Sequence, residues 1–396
     1  MSADVAACCA ALNLSLPQLC EVRDTLCQRI QEGLNCEGAE IQALPAYLPL
    51  PKKDLSGSAL IIDIGGTNMR AALVEFRDGK AAVKTGPVQG QVATGRDFPV
   101  SAQDFFRSQA ELAAQLNPPE GIPVGYCFSY PASITPDVDA KLLAWTKGIN
   151  IPGVVGTSVG AGLRRALKDQ GLQPGRLIVL NDTVATLLAG TGSFAAEFDQ
   201  FIGLIAGTGI NMAGFLPSAQ VGKLDKRAYK ADKIAINLES GNYKPPFATR
   251  WDDLLDEASD NPGRQRFEKA CSGYYVPFLY QTIAKDIGLD IGDFDPMWGT
   301  GHLVKLAIDH NDELAMAILR RSGRLIAATI AGFMQAMGSG RFAVVAEGSR
   351  YWKDPTQAPL IYKLVGELCS PDQEFNISAV ANANFIGSAC AVLGLE

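Results

Sequence analysis

Two segments of this chain pair glycines with a side chain suited to phosphate chemistry. In Asp63-Ile64-Gly65-Gly66-Thr67-Asn68 a carboxylate ends an apolar run just before a turn of two glycines. Such glycines let an anion approach backbone N–H groups, and a carboxylate at a strand end can hold Mg²⁺ directly or through water. A plain hairpin turn capped by Asp63 is the other reading. The second segment, Leu204-Ile205-Ala206-Gly207-Thr208-Gly209-Ile210-Asn211-Met212-Ala213, repeats the plan: apolar strand, Gly/Thr turn with Asn, second strand. There the Thr208 hydroxyl and the Gly207 and Gly209 amides can grip a phosphoryl group, or merely close a tight turn. Taken together, the two segments predict a pair of pseudo-symmetric lobes facing one cleft.

Other polar residues fall at places where a second substrate could be held. Asn181-Asp182-Thr183 follows the apolar run 177–180 and precedes the helix-like 184–188. Its types fit a helix N-cap, and they equally fit a general base at the C-terminal edge of an α/β sheet, where Asp182 would take a hydroxyl proton. Ser129 stands at a strand end turned by Pro131, and Thr146-Lys147-Gly148 sets a cation in a loop. Glu239 and Glu268 taken singly read as surface carboxylates. Sugars are bound by planar polar groups that pair hydrogen bonds to neighbouring hydroxyls, so Asn and Asp meeting these two glutamates would make a hexose site.

The elements that must position these residues alternate in type. Strand patterns at 59–64, 71–76, 122–128 and 176–180 interleave with helical ones at 101–116 and 159–172, the mark of an α/β fold. Leu19, Val22, Leu26 and Ile30 form an amphipathic stripe over 17–34, which Gly33 would end. The Pro-rich stretch 44–58 reads as a linker. From Thr249 onward the pattern is helical, apart from one apolar strand at 342–346 and a last helix near 384–393.

Bulk properties narrow the class. A chain of 396 residues, 47% hydrophobic and 19% charged, can bury two cores, and its formal net charge of −7 argues against a backbone-tracking nucleic-acid binder. Nine cysteines, none in a CxxC pair, read as reduced thiols rather than a zinc site. The apolar N-terminal stretch carries Asp4 and no Lys or Arg before Arg23, so a cytoplasmic chain without a secretory or mitochondrial address is expected. The uncharged run 201–222 has the length of a membrane span, yet its glycines and Pro217 favour two strands, and no membrane association is expected.

Taken as a set, the motifs DIGGTNMR (63–70), FSYP (128–131), WTKGIN (145–150), NDTVATLLAG (181–190), GLIAGTGIN (203–211), INLESG (236–241) and TRWDDLLDEASDNPGRQRFEKACSGYY (249–275) resemble the eukaryotic-type hexokinases of the actin-like ATPase superfold. Bacterial glucokinases of the repressor type share DIGGTN but usually carry a Cys-rich zinc motif, absent here. The resemblance implies a two-domain, ribonuclease H-like α/β fold with a cleft between a small domain (58–183 plus 384–396) and a large one (1–57 plus 184–383). It implies ATP and Mg²⁺ as cofactors and transfer of the γ-phosphoryl to the 6-hydroxyl of glucose, feeding glycolysis. Kinases for mannose, fructose or an N-acetylhexosamine, and a non-catalytic ATP- or sugar-sensing module, are the alternatives. A monomer or homodimer is expected.

At matching positions the resemblance makes Asp182 the base, with Lys147 beside it neutralising charge. It lines the sugar pocket with Ser129, Thr146, Lys147, Asn181, Asn211, Glu239 and Glu268. Asp63, Gly65, Gly66, Thr67, Asn68 and Arg70 form the first phosphate loop, with Asp63 reaching Mg²⁺ through water; Gly207, Thr208 and Gly209 form the second. Gly348 and Ser349 belong to the adenosine-side motif, where Glu347 replaces the family's usual Asp. After Glu239 the family usually reads Trp-Gly and then Gly-Asp, whereas this chain has Ser240-Gly241-Asn242-Tyr243-Lys244-Pro245. The Gly-rich element before the last helix is replaced by Ala383-Asn384-Phe385.

Overall fold

A computed structural model describes residues 3–66, 68–92, 94–95, 99–145 and 149–395. Its strands are β1 (Leu44–Pro45), β2 (Gly57–Gly65), β3 (Asn68–Arg77), β4 (Lys80–Gln91), β5 (Val124–Phe128), β6 (Ala132–Ile134), β7 (Ala140–Leu142), β8 (Leu177–Leu180), β9 (Gln200–Ala206), β10 (Ile210–Pro217), β11 (Lys233–Asn237), β12 (Gly340–Glu347) and β13 (Gln373–Ser378). One sheet runs β4-β3-β2-β5-β8 and another β1-β11-β10-β9-β12-β13.

The two sheets share one plan. In each, a meander of three antiparallel strands is extended by two parallel ones: β4, β3 and β2 then β5 and β8; β11, β10 and β9 then β12 and β13. The sequence echo is thus a repeat of topology. The first hairpin turns between Gly65 and Asn68 and the second between Ala206 and Ile210, the same place in each meander.

β2 reads as a continuous apolar run because both of its faces are covered. Leu60, Ile62 and Ile64 pack among Phe105, Phe106 and Leu163 on one side, while Ile61 packs among Val184, Leu188 and Phe385 on the other. That second cluster also takes in Phe201, Ala213 and Phe215 of the larger sheet, so one core spans both sheets. At its centre is the helix Asp182–Phe194. A Cβ on Gly203 of β9 would sit 2.5 Å from Thr183 O, and one on Gly387 of the helix Ala383–Leu393 would sit 1.7 Å from Ala185 O, so glycine alone permits these approaches. Burying a leucine such as Leu187 or Leu188 contributes about 1.5–3 kcal/mol, which fixes the helix between the sheets. Its N-terminus, beginning at Asp182, is held where the two sheets meet.

The long N-terminal helix Leu16–Asn35 buries the predicted stripe, Leu19, Val22, Leu26 and Ile30, and is started by Ser15, whose N–H donates to Gln18 Oε1 at 2.8 Å. It packs on the helix Glu313–Met337, where a Cβ on Gly332 would meet Arg23 O at 2.6 Å. Two expectations need correction. The 44–58 stretch is not simply a linker, since β1 adds to the edge of the larger sheet with Leu44 opposite Asn237, and Leu48 is buried. β13 supplies a second strand after Thr249; its sequence, Gln-Glu-Phe-Asn-Ile-Ser, lacks an apolar run because it is an edge strand. β4 is likewise an edge, exposed along much of its length. No single helix among the described residues is long and apolar enough to cross a membrane.

Candidate active site

The end of β8 delivers Asn181 and Asp182 to the seam between the sheets. Asn181 caps the helix, its side chain accepting from Thr183 N at 2.9 Å, and Asp182 Oδ1 accepts from Thr183 N at 2.8 Å and from Thr183 Oγ1 at 3.3 Å. The N-cap role is therefore real, and it aims a half-buried carboxylate from the first turn of the helix.

From there a hydrogen-bonded chain crosses into the larger sheet. Asn211, on β10, donates from Nδ2 to Thr183 Oγ1 at 3.0 Å and to Asn237 Oδ1 at 2.8 Å. Asn237, at the end of β11, donates from Nδ2 to Glu239 Oε1 at 2.7 Å. The Asn211 Oδ1 accepts from Ser240 N at 3.0 Å, which ties the turn carrying Glu239 to the same strand. Glu268 closes the other side, its Oε2 accepting from Ile210 N at 3.0 Å. A Cβ on Gly209 would lie 2.7 Å from that oxygen, so only glycine lets Glu268 approach the second turn so closely. Asp182, Asn211, Glu239 and Glu268 thus converge, and Asn181 lines a narrow crevice with Asn237, Glu239, Phe128 and Tyr130.

Thr183 and Asn237 were quoted within motifs but given no role by sequence reasoning. Both are buried polar side chains. A polar residue ending an apolar strand, as Asn237 does in Lys-Ile-Ala-Ile-Asn, is the signal that could have found one of them.

The first turn gathers charge. Asp63, only 5% exposed, is ion-paired with Arg70, whose Nε donates to Oδ2 at 3.2 Å, and Asn384 Nδ2 of the last helix lies 3.3 Å from Oδ1. Arg70 also stacks over the Phe385 ring, 5.0 Å from its centroid. Beside Asp63 in the parallel register is buried Cys127, whose thiol is pushed well up by burial and then by the Asp63 and Asp182 charges. At the tip, Gly66 has φ +60 and its carbonyl accepts from Tyr130 OH at 2.8 Å. A Cβ on Gly65 would sit 3.1 Å from Ser129 Oγ, placing Ser129 directly behind this turn. Asn68 opens β3 and is exposed.

The second turn is enclosed by backbone. Gly207 N donates to Gly209 O at 3.0 Å, Gly273 N to Gly207 O at 2.7 Å, and Tyr274 N to Thr208 O at 3.2 Å. Gly348, with φ +111, abuts it: a Cβ there would meet Ala206 O at 2.3 Å, and Ser349 begins the short helix that follows. Burial raises the Glu347 carboxyl, and the Arg70 charge works against that rise. Thr67, Thr146 and Lys147 lie outside the described residues. The loop carrying the last two is flanked by Trp145, whose Nε1 donates to Ile151 O at 2.9 Å.

Among the described residues no group of three or more His, Cys, Asp or Glu could cage a metal. Asp63, whose oxygens are engaged by Arg70 and Asn384, suits a Mg²⁺ reached through water, since Mg²⁺ dehydrates reluctantly and is commonly held by one or two carboxylates together with substrate phosphates and water.

A family model described as hexokinase matches residues 4–191, and a second with the same description matches 201–293 and 300–393. The rice (Oryza sativa subsp. japonica) protein named hexokinase-4, chloroplastic, is 28% identical over 99% of this chain and 87% of its own length. Hexokinase-2 of Schizosaccharomyces pombe is 28% identical over 92% and 90%. Among solved structures, a hexokinase from Schistosoma mansoni complexed with glucose superposes with a TM-score of 0.82 over 98% of each chain at 24% identity, a likeness of fold.

Proposed function

The chain belongs to the hexokinase family, whose members phosphorylate a hexose from ATP, and from that premise we propose that it transfers the γ-phosphoryl of MgATP to the 6-hydroxyl of glucose and related hexoses. The observation that carries the residue assignments is the continuous hydrogen-bonded chain Asp182–Thr183–Asn211–Asn237–Glu239, which joins a candidate base to a candidate sugar ligand across two sheets.

In this reading the hexose lies against Asn211, Glu239 and Glu268 of the larger lobe, with Asn181, Ser129, Thr146 and Lys147 completing the pocket from the other lobe. Their carboxylates and amides pair with neighbouring hydroxyls and so orient one hydroxyl toward Asp182, which accepts its proton. Phosphoryl transfer passes through a loose transition state whose charge spreads over the phosphoryl oxygens, so positioning and neutralisation dominate. The turn at Gly65–Gly66 and the N–H groups of Thr208 and Gly209 meet that charge in this reading, aided by Arg70 and Lys147, while Gly207 N, bonded to Gly209 O, shapes the second turn instead of gripping phosphate. Gly348 and Ser349 take the adenosine side. Asp63 would hold Mg²⁺ through water, and the bound ion would supply further neutralisation of the phosphates.

Water competes with sugar for the phosphoryl group in any open site. Residues 58–183 plus 384–396 form, in this proposal, a small domain that closes on the rest when sugar binds, completing the geometry only then. Coupled ADP release across glucose, mannose, fructose and N-acetylglucosamine tests the reading. Turnover that requires a hexose and is fastest with glucose is expected, and ATP hydrolysis independent of every sugar would overturn it.

A further inference from the structure

The turn that carries Glu239 has an unfavourable backbone conformation, and it is held from two sides: by Asn211 and Asn237 within the cleft, and by the residues that follow it outside the cleft. Glu239 has φ 54 and ψ 46, a left-handed geometry in which the Cβ of a non-glycine residue crowds the following carbonyl oxygen. It opens the single 3₁₀ turn Ser240–Asn242, which ends at Tyr243, whose N–H donates to Ser240 O at 3.0 Å. This is the stretch where the chain departs from the hexokinase pattern.

Tyr243 is fully buried. Its ring meets Phe267 edge-on at 6.2 Å between centroids, and Phe267 is the neighbour of Glu268 in the helix Arg266–Cys271. Its hydroxyl leaves the cleft altogether: it donates to Val22 O at 2.9 Å and shares a 2.6 Å hydrogen bond with Thr25 Oγ1, both on the helix Leu16–Asn35. Burial pushes the phenol up, so it remains a donor. The same turn is fastened again one residue on, where Lys244 N donates to Glu40 Oε1 at 2.6 Å.

We propose that Tyr243 is a positioning residue for hexose binding, a strut by which the N-terminal helix fixes Glu239 through its turn and Glu268 through Phe267. The inference rests on the reading that these two glutamates hold the sugar. The helix cannot reach the hexose itself; it acts through the phenolic hydroxyl. Removing that hydroxyl frees the strained turn to relax, which weakens binding of the sugar while leaving the nucleotide side untouched.

The test compares Tyr243→Phe, Thr25→Val, their double variant and Glu239→Gln in steady-state kinetics on the full chain. Loss of the hydroxyl's two hydrogen bonds predicts a rise of about three- to tenfold in hexose KM for Tyr243→Phe, with kcat and ATP KM held within about twofold. Thr25→Val, 218 residues away in sequence, should move the same parameter by less, and the double variant should add nothing to Tyr243→Phe. Tyr280→Phe, which deletes a hydroxyl bonded to Asp312 at 2.7 Å, serves as the control and should leave hexose KM alone. Equal changes in hexose and ATP KM, or no change in hexose KM, would overturn the strut. If Glu239→Gln raises hexose KM while both hydroxyl variants are silent, the strut alone fails; if Glu239→Gln is silent too, the sugar-site reading fails with it. Should Tyr243→Phe not fold, Thr25→Val decides.

Discussion

The two glycine turns occupy the same place in the same topology, yet they are held by different materials. The tip at Gly66 is supported by side chains: the Tyr130 hydroxyl on its carbonyl, with the Asp63–Arg70 pair and Asn384 at its base. Among the described residues nothing lies within 4 Å of where a Cβ on Gly66 would point. The tip at Gly207–Gly209 is walled by main chain from Gly273, Tyr274 and Gly348, and by Glu268. A turn built on long charged side chains can shift as an anion arrives, whereas one bonded to backbone on several sides cannot. We read the first as the adjustable grip and the second as the fixed one.

Asp182 begins the helix packed between the two sheets that carry these turns, and its loss should outweigh any change in either. Asp182→Asn is expected to lower kcat by about 10²–10⁴-fold with an unaltered melting temperature, measured by coupled assay and calorimetry. Retention of near-normal turnover would remove the base on which both grips converge.

Next in size is the contrast between the glycines themselves. Gly209→Ala places a methyl 2.7 Å from Glu268 Oε2, so hexose KM should rise by roughly 10-fold or more and stability should fall. Gly66→Ala meets no described residue within 4 Å and costs about 1 kcal/mol for its positive φ, giving a small fall in melting temperature. Should Gly66→Ala prove the more damaging of the two, the assignment of rigid and adjustable turns is reversed.

Arg70→Met sharpens the comparison from the charge side. It deletes the partner of Asp63 and the cation that works against burial at Glu347, and we expect ATP KM to rise about fivefold with hexose KM little changed. The same substitution should push the Glu347 carboxyl higher still, observable by NMR titration.

The smallest effect concerns the scaffold behind Glu268. Asp256 is buried, which works to raise its carboxyl, but hydrogen bonds from Lys269 at 2.6 Å and Gly263 N at 2.8 Å, with the Lys269 and Arg266 charges, hold it below the ordinary value. A carboxyl depressed on folding adds stability that is present above its unfolded pKa and fades as pH falls through the folded one. Melting temperature should therefore decline on acidification below about pH 4. Asp256→Asn should flatten that acid limb while lowering stability at neutral pH, since it leaves Lys269 buried without its partner.

Much of this site was legible before any coordinates. Apolar runs ending in Asp63-Ile64-Gly65-Gly66 and Ala206-Gly207-Thr208-Gly209 announced two hairpins, because strand periodicity and turn chemistry are written within ten residues. The Asn181-Asp182 pair could be placed at a strand end for the same reason, although cap and base could not be told apart by spacing. Edge strands β4 and β13 escaped, since a strand with one neighbour needs no apolar run.

What the amino-acid order determined by itself was local: which segments turn, which faces are apolar, and which residue types stand at strand ends. Only the tertiary structure decided that Asn211 bridges Thr183 and Asn237, that Asn384 comes back 321 residues to Asp63, and that Tyr243 leans on Thr25. These pairs obey no period along the chain. They arise when two sheets close on a common helix, and a hydrogen bond between distant residues depends on that closure rather than on either residue's neighbours.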